Sequence, residues 1–125
     1  MKWDAWRFSA KLAWQDRFIR FVGIATLIAY IGWTAFFLWR VIPEGLRSGV
    51  LVMHHNIYLG IDDVRPWPWI FVNPAIFLAL FVLDCVITAG MYRSDTIAAR
   101  ALITLPLILG IIWAISSFFL ILVNL

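Results

Sequence analysis

The sequence predicts an all-α integral membrane protein, with three transmembrane helices preceded by an amphipathic interfacial helix. Hydrophobic residues make up 64% of the 125 residues and charged residues 14%, whereas soluble domains are nearer half apolar and a quarter charged. Three long segments are almost free of charge, and the eight Trp residues suit the headgroup layer of a bilayer. A chain of this length forms one domain, residues 1–125.

Residues 1–20 are predicted to form an amphipathic helix that lies in the membrane interface. Five polar residues fall mostly on one face: Lys2, Asp4, Lys11, Gln15 and Asp16. The apolar residues recur at spacings of three and four, which places them on the other face: Trp3, Trp6, Ala10, Ala13, Trp14, Phe18 and, just beyond the segment, Phe21. A frayed, charged terminus is the alternative. A cleaved signal peptide is disfavoured because the charged and apolar regions are both too long.

The first predicted span is residues 21–39, a run of 19 uncharged residues between Arg20 and Arg40. About 20 such residues cross the hydrocarbon core of a bilayer. Arg40 and Pro43 are predicted to end this helix, because proline removes a helical hydrogen bond.

The second predicted span is residues 70–92, with a helical start at Asn73-Pro74. Asn is a favoured N-cap, and Pro at the first helical position loses no needed hydrogen bond. Ser94-Asp95-Thr96 is predicted to form a tight turn that caps the third span, residues 97–123. Pro106 lies inside this last span and is expected to kink it.

The long connection, residues 40–69, holds the polar stretch from His54 to Asp63. Pro43-Glu44-Gly45 has the composition of a turn. The run Val50–Met53 is β-prone and is expected either to form a strand or to dip into the interface. The second span is then approached through Pro66-Trp67-Pro68-Trp69, whose indole rings suit the membrane surface.

The distribution of basic residues predicts the orientation in a cell (inner) membrane. The N-terminal arm and the 93–100 turn together carry seven Lys and Arg residues, and the long connection carries three. The positive-inside rule therefore places the N-terminus in the cytoplasm, with the long connection and the C-terminus facing outward.

The outward loop is the predicted binding site, and seven of its residues are the candidates: His54, His55, Asn56, Tyr58, Gly60, Asp62 and Asp63. Asn56 and Asp62 are expected to brace the loop through hydrogen bonds to its backbone, and Gly60 to allow a left-handed turn. The side chains of adjacent strand residues alternate in direction, so His54 and His55 do not easily face one point. No spacing typical of zinc ligands occurs, and no metal site or cofactor is predicted.

Asp84 lies near the middle of the second span, where an ionised carboxylate costs about 2.5–3.5 kcal/mol. It is therefore expected to be protonated or to have partners. Depth matching places Thr104 and the turn at Pro106 opposite it, with Tyr30 at similar depth in the first span. One hypothesis is a proton or ion relay. The other is an inter-helix hydrogen bond, which the lack of a charged partner in the spans favours.

The run His55–Trp67, H-N-I-Y-L-G-I-D-D-V-R-P-W, followed by two spans and a short basic turn, resembles a group of small bacterial membrane proteins. Their pattern is His-x-Asn-Ile-Tyr-x-Gly-Ile-Asp before a Trp-containing helix start. The resemblance covers residues 50–125, and His54 rather than His55 matches the spaced His. Asp84 falls where the group carries Asn, which implies a hydrogen-bonding role. The resemblance implies no enzymatic activity.

The leading functional hypothesis is a non-enzymatic membrane subunit or scaffold whose outward loop binds a partner protein or a lipid-linked molecule. The expected partners are the lipid bilayer and a membrane protein or further copies of the chain, with no nucleic acid. Two alternatives stay open: an oligomeric proton or ion conductor that uses Asp84, and a metal-assisted enzyme at the outward loop. No Ser-His-Asp set and no Gly-rich phosphate loop are recognisable in the sequence.

Overall fold

The computed structural model describes residues 2–56, 58 and 60–125, apart from the side chains of His55, Asn56, Ile61 and Asp62. The described part of the chain forms four α-helices and two strands, with a short 3-10 helix, Trp67–Phe71, directly before the third α-helix. Their bounds are α1 Lys2–Gln15, α2 Arg17–Ser48, β1 Val50–Asn56, β2 Gly60–Pro66, α3 Val72–Met91 and α4 Thr96–Asn124.

Within the described residues, three helical segments are long and apolar enough to cross a membrane, as the sequence predicts. They are α2 with 32 residues, the continuous segment Trp67–Met91 with 25, and α4 with 29. At 1.5 Å per residue, each exceeds the hydrocarbon thickness of about 30 Å. α4 lies between α2 and α3 and packs against both. The outer faces of these helices carry exposed Ile, Leu and Phe side chains, and this surface suits lipid. The chain is therefore consistent with a multi-pass membrane protein.

The first spanning helix is longer than the sequence analysis predicts. α2 begins at Arg17, runs through Arg40 and Pro43, and ends at Ser48, where Gly49 caps it in the left-handed region with φ 78°. The prediction that Arg40 and Pro43 end the helix is therefore wrong. Val41 and Gly45 are buried, and their packing outweighs the hydrogen bond that Pro43 removes.

The connection after α2 forms a β-hairpin, so the predicted all-α fold class is incomplete. β1 and β2 pair antiparallel from Val50 opposite Pro66 to Asn56 opposite Gly60. The register shifts on either side of His54, which pairs with Asp63. The β-prone run that begins at Val50 is therefore a strand, one of its two expected conformations.

The start of the second spanning segment also differs from the prediction. The 3-10 helix Trp67–Phe71 has a proline in its first turn, and α3 follows with Phe71, not Asn73, at its N-cap position. Asn73 lies inside the first turn of α3. Ile70 is buried within the 3-10 helix, so packing against the bundle fixes the conformation upstream of Asn73.

α3 and α4 pack against each other on either side of a short turn, as the predicted helical hairpin requires, whereas neither buried cluster of the described residues has a buried member in α3. Asp95 caps α4 by accepting a hydrogen bond from the Ala98 amide at 2.9 Å, as predicted. One cluster joins α2, α4 and the β-hairpin and contains Phe37, Val41, Leu51, Ile70 and Ile121. The other joins the ends of α1, α2 and α4 and contains Ala13, Ile19, Ala99 and Ile103.

The N-terminal segment is helical, but α1 ends at Gln15 rather than at residue 20, and residues 17–20 belong to α2. α1 packs along the C-terminal half of α3. The Trp6 indole donates to the Val86 carbonyl at 3.3 Å, and the Ser9 hydroxyl donates to the Gly90 carbonyl at 3.2 Å. Trp3 and Trp14, from the predicted apolar face, are 66% and 60% exposed. α1 thus has a protein neighbour, and its placement in the interface stays a prediction.

Candidate docking site on the hairpin

The Asn124 side chain bonds the β-hairpin to the end of α4. The Asn124 Oδ1 accepts a hydrogen bond from the Val52 amide at 2.8 Å, and its Nδ2 donates to the Val52 carbonyl at 2.9 Å. The same amide group donates to the Leu120 carbonyl at 2.9 Å. Asn124 thereby occupies the outer edge of β1 as a neighbouring strand would.

The base of the hairpin, formed by the start of β1 and the end of β2, is held against the helices. Leu51 is 2% exposed and lies in the cluster with Phe37 and Val41. The Trp67 amide donates to the Gly49 carbonyl at 3.2 Å, which joins the exit from β2 to the end of α2. β1 packs against α2 and α4, whereas β2 lies on the far side of β1 and is held chiefly by it. The two strands therefore have different roles: β1 anchors the hairpin and β2 is displayed.

A concavity of about 360 Å³ lies between the hairpin and the start of α3. The Arg65 Nε donates to both Asp63 carboxylate oxygens at 3.0 Å, and its guanidinium lies 4.7 Å from the ring centroid of Trp69. Asp63 and Arg65 are two residues apart on β2, so their side chains share one face of the strand. The remaining lining residues are Met53, His54, Val72 and Asn73.

Four of the predicted loop residues have positions that the structure describes. His54 is exposed on β1 and lines the concavity with Asp63. Tyr58 is 93% exposed at the turn. Gly60 has φ 76°, which confirms the predicted left-handed conformation. The side chains of His55, Asn56 and Asp62, including the predicted bracing bonds of Asn56 and Asp62, lie outside the described residues.

Several residues that build this site were not predicted from the sequence. Arg65, Trp69 and Asn73 line the concavity, and Asn124 anchors β1. The two-residue spacing of Asp63 and Arg65 could have predicted their pairing, because residues at this spacing lie on one face of a strand. Asn124 gave no signal, because it lies 72 residues from Val52 in the sequence. Among the described residues, His, Cys, Asp and Glu form no group of three placed to hold a metal ion.

The predicted intramembrane polar residues do not form one cluster. The Tyr30 hydroxyl donates to the Pro74 carbonyl at 2.6 Å, and the Thr104 hydroxyl donates to the Ala101 carbonyl of its own helix at 2.6 Å. Asp84 and Pro106 line one groove of about 180 Å³, as depth matching predicts, whereas Thr104, predicted at the same depth, is not among its lining residues. The Asp84 Oδ2 is buried and has no hydrogen-bond partner within the described part of the chain.

A polar network at the opposite end of the bundle was also missed. Asp16, assigned from the sequence to the polar face of the first helix, is a buried N-cap of α2. That assignment is wrong, because the carboxylate turns inward to accept bonds from Phe18 N at 2.9 Å and Ile19 N at 3.4 Å. Arg100 forms an ion pair with it at 2.8 Å, and the Tyr92 hydroxyl donates to it at 2.9 Å.

This network shifts two pKa values. Burial of the Asp16 carboxyl acts to raise its pKa, but hydrogen bonds from Arg100, Tyr92 and two backbone amides outweigh burial and lower the pKa. The hydrogen bond to Asp16 raises the pKa of Tyr92, and burial adds to this. The arrangement favours an ionised Asp16 that ties the α1–α2 junction to α3 and α4.

Comparisons with protein-family models, curated proteins and solved structures yield no match to this chain. The function is therefore inferred from the geometry and chemistry of the residues themselves.

Proposed function

We propose that the protein is a non-enzymatic membrane subunit or scaffold, whose β-hairpin binds a partner protein or a lipid-linked molecule. The observation that carries this proposal is the anchoring of β1 by Asn124. A two-stranded hairpin is marginally stable alone, and here helix ends hold it in one position. Such preorganisation lowers the entropy cost of binding a partner.

The displayed strand and the concavity offer two kinds of contact. The outer edge of β2 is paired with no strand in the described part of the chain, so its backbone is open to an added strand. Next to it, the Asp63–Arg65 pair and the Trp69 ring supply charge and an aromatic surface. Arg and Trp are the residue types that most often dominate binding energy at protein interfaces.

Site-specific photocrosslinking in native membranes tests this proposal. A benzophenone amino acid replaces Tyr58 at the hairpin turn or, as a control, Phe119, which is 59% exposed on the outer face of α4. The expected result is a discrete crosslinked product from position 58 that position 119 does not give. The proposal fails if both positions give only the same diffuse lipid adducts.

We further propose the orientation that the basic residues predict, with the N-terminus cytoplasmic and the hairpin outward. α1 and the α3–α4 turn share one end of the bundle, and the hairpin and Asn124 share the other. In a Cys85→Ser background, a cysteine at Tyr58 is expected to react with an impermeant maleimide added to intact cells. A cysteine at Ser94 is expected to react only after the membrane is opened, and the reverse result would invert the orientation.

A proton or ion conductor is the second candidate, because the buried Asp84 Oδ2 has no partner within the described residues. The purified protein in liposomes is expected to carry a proton or cation flux that Asp84→Asn abolishes and Thr104→Val preserves. Equal flux in the wild type and the Asp84→Asn variant would exclude this function.

A further inference from the structure

A second apolar groove lies at the end of the bundle opposite the hairpin. It opens between α2 and α3, has a volume of about 230 Å³, and has Ile103 of α4 among its lining residues. Gly23 and Leu27 line it from α2, and Phe81 and Cys85 line it from α3. α1 closes one end through Ala10, Ala13 and Trp14.

The length of the groove corresponds to part of an acyl chain. Along α2 it extends from Ile19 to Leu27, which is roughly 12 Å at 1.5 Å per residue. Its walls are almost entirely hydrocarbon, and its side is open along helices apolar enough to cross a membrane. An extended alkyl chain that enters from the bilayer therefore fits its shape and chemistry.

The closed end of the groove is cationic. Arg20 is exposed and lines the groove there, and its guanidinium makes no ion pair or hydrogen bond among the described residues. Residues 1–20 and 92–100 carry seven basic and three acidic side chains. Asp16, the nearest acid along the chain, is already paired with Arg100, so the charge of Arg20 is left for an external anion.

A buried polar group adds an independent indication of a ligand. Thr88 is 1% exposed and lines the groove about one helical turn from the end of α3. Its Oγ1 is buried without a hydrogen-bond partner in the part of the chain that the structure describes. Such a hydroxyl is costly unless it is paired, and an ester carbonyl of a bound lipid would pair it.

We propose that this groove binds an anionic phospholipid, with one acyl chain between α2 and α3 and the phosphate on Arg20. Thr88 and Arg20 each lie about one helical turn from the same end of the bundle, so the Thr88 hydroxyl would bond an ester carbonyl beside the bound phosphate, and Trp14 flanks the headgroup. The proposal uses the end of the bundle remote from the hairpin and does not depend on the proposed docking function.

Native mass spectrometry of the full chain in neutral detergent tests the headgroup half of the proposal. Phosphatidylglycerol and phosphatidylcholine of equal chain length are titrated separately. Phosphatidylglycerol is expected to bind more tightly than phosphatidylcholine. Arg20→Gln is expected to weaken the binding of phosphatidylglycerol about fivefold, which is the contribution of one basic residue at an anionic surface. Arg17→Gln is the matched control, because Arg17 is exposed at the start of the same helix and is not a lining residue.

A side chain that fills the groove tests the proposed binding of the acyl chain. A Cβ on Gly23 would contact Ile103 at 3.8 Å, an ordinary distance, so Gly23→Leu fits at its base and projects into the groove. It is expected to weaken binding of both lipids, whereas Gly32→Leu, on an open face of α2, is expected to leave binding unchanged. If Gly23→Leu does not fold, glycerophosphoglycerol replaces it as a probe and is expected not to bind at lipid concentrations.

Three outcomes would overturn the proposal. The first is equal affinity for the two lipids, which would indicate annular lipid only. The second is that Arg20→Gln and Arg17→Gln weaken the binding of phosphatidylglycerol equally. The third is binding of the headgroup alone as tightly as the whole lipid.

Discussion

Gly45 and Trp67 are in such close contact that a Cβ added to Gly45 would lie 2.7 Å from the Cβ of Trp67. Leu51 would be 3.2 Å from the same added atom. The last turn of α2, the start of β1 and the 3-10 helix thus meet at a position that only glycine fits. This contact sets how closely the base of the hairpin approaches α2.

Gly45→Ala is expected to destabilise the protein by about 1–3 kcal/mol, because the added methyl group forces Trp67 or the hairpin to move. Gly32→Ala is the control in the same helix, since nothing lies within 4 Å of its added Cβ. That change is expected to stabilise by about 0.5–1 kcal/mol through reduced backbone entropy. Thermal unfolding in detergent measures both, and a Gly45→Ala variant as stable as Gly32→Ala would contradict the contact.

Replacing Asn124 with Ala is expected to loosen the hairpin by about 1–3 kcal/mol, because the backbone groups of Val52 lose their partner. Hydrogen exchange measured by mass spectrometry is expected to show faster exchange in residues 50–56, with α3 unchanged. Asn73→Ala, which removes an exposed amide at the same end of the bundle, serves as the control. Unaltered exchange in β1 of the Asn124→Ala variant would mean that Asn124 does not hold the strand.

Asp16→Asn is expected to destabilise the protein by roughly 1–3 kcal/mol, since it removes the charge that Arg100 and Tyr92 contact. Asn is itself a good N-cap, so this variant keeps most of the capping and isolates the loss of charge. A double-mutant cycle with Arg100→Gln is the control. The two changes are expected to be non-additive, and additive losses would show that the ion pair contributes nothing.

The low pKa of Asp16 also predicts a pH dependence of stability. Because its folded-state pKa lies below the unfolded value of about 3.9, the ionised group stabilises the fold fully above that unfolded value. This contribution is lost as the pH falls through the lower, folded-state pKa. Unfolding between pH 2 and 6 should therefore show a steeper acid loss for wild type than for Asp16→Asn, and parallel curves would exclude the linkage.

The features predicted correctly from the sequence are those that depend on local composition. The spanning segments follow from uninterrupted apolar runs, the Asp95 cap from its position before α4, and the φ of Gly60 from its place in a polar turn. Each needs only neighbouring residues, so no knowledge of the packing was required.

The features that were missed depend on contacts between distant residues. α2 continues past Pro43 because Val41 and Gly45 pack against the hairpin base and Trp67. Asp16 is buried because Arg100 and Tyr92, 84 and 76 residues away, converge on it. In the sequence Asn124 is only a polar residue near the end of the third span. Its hydrogen bonds to Val52 depend on the packing of α4 against β1. The periodicity of the sequence carries no information about these long-range contacts.

The Trp33 indole donates a hydrogen bond of 2.6 Å to the Ser117 hydroxyl, which joins α2 to α4 within the spanning region. Ser117 is 1% exposed and donates in turn to the Ala114 carbonyl at 3.1 Å. Ser117→Ala is expected to destabilise by about 0.6 kcal/mol, the average for hydrogen bonds between helices in membranes. Ser116, its exposed neighbour on α4, provides the control, and Ser116→Ala is expected to leave the unfolding temperature unchanged. Equal effects of the two substitutions would show that the Trp33 hydrogen bond does not hold α2 against α4.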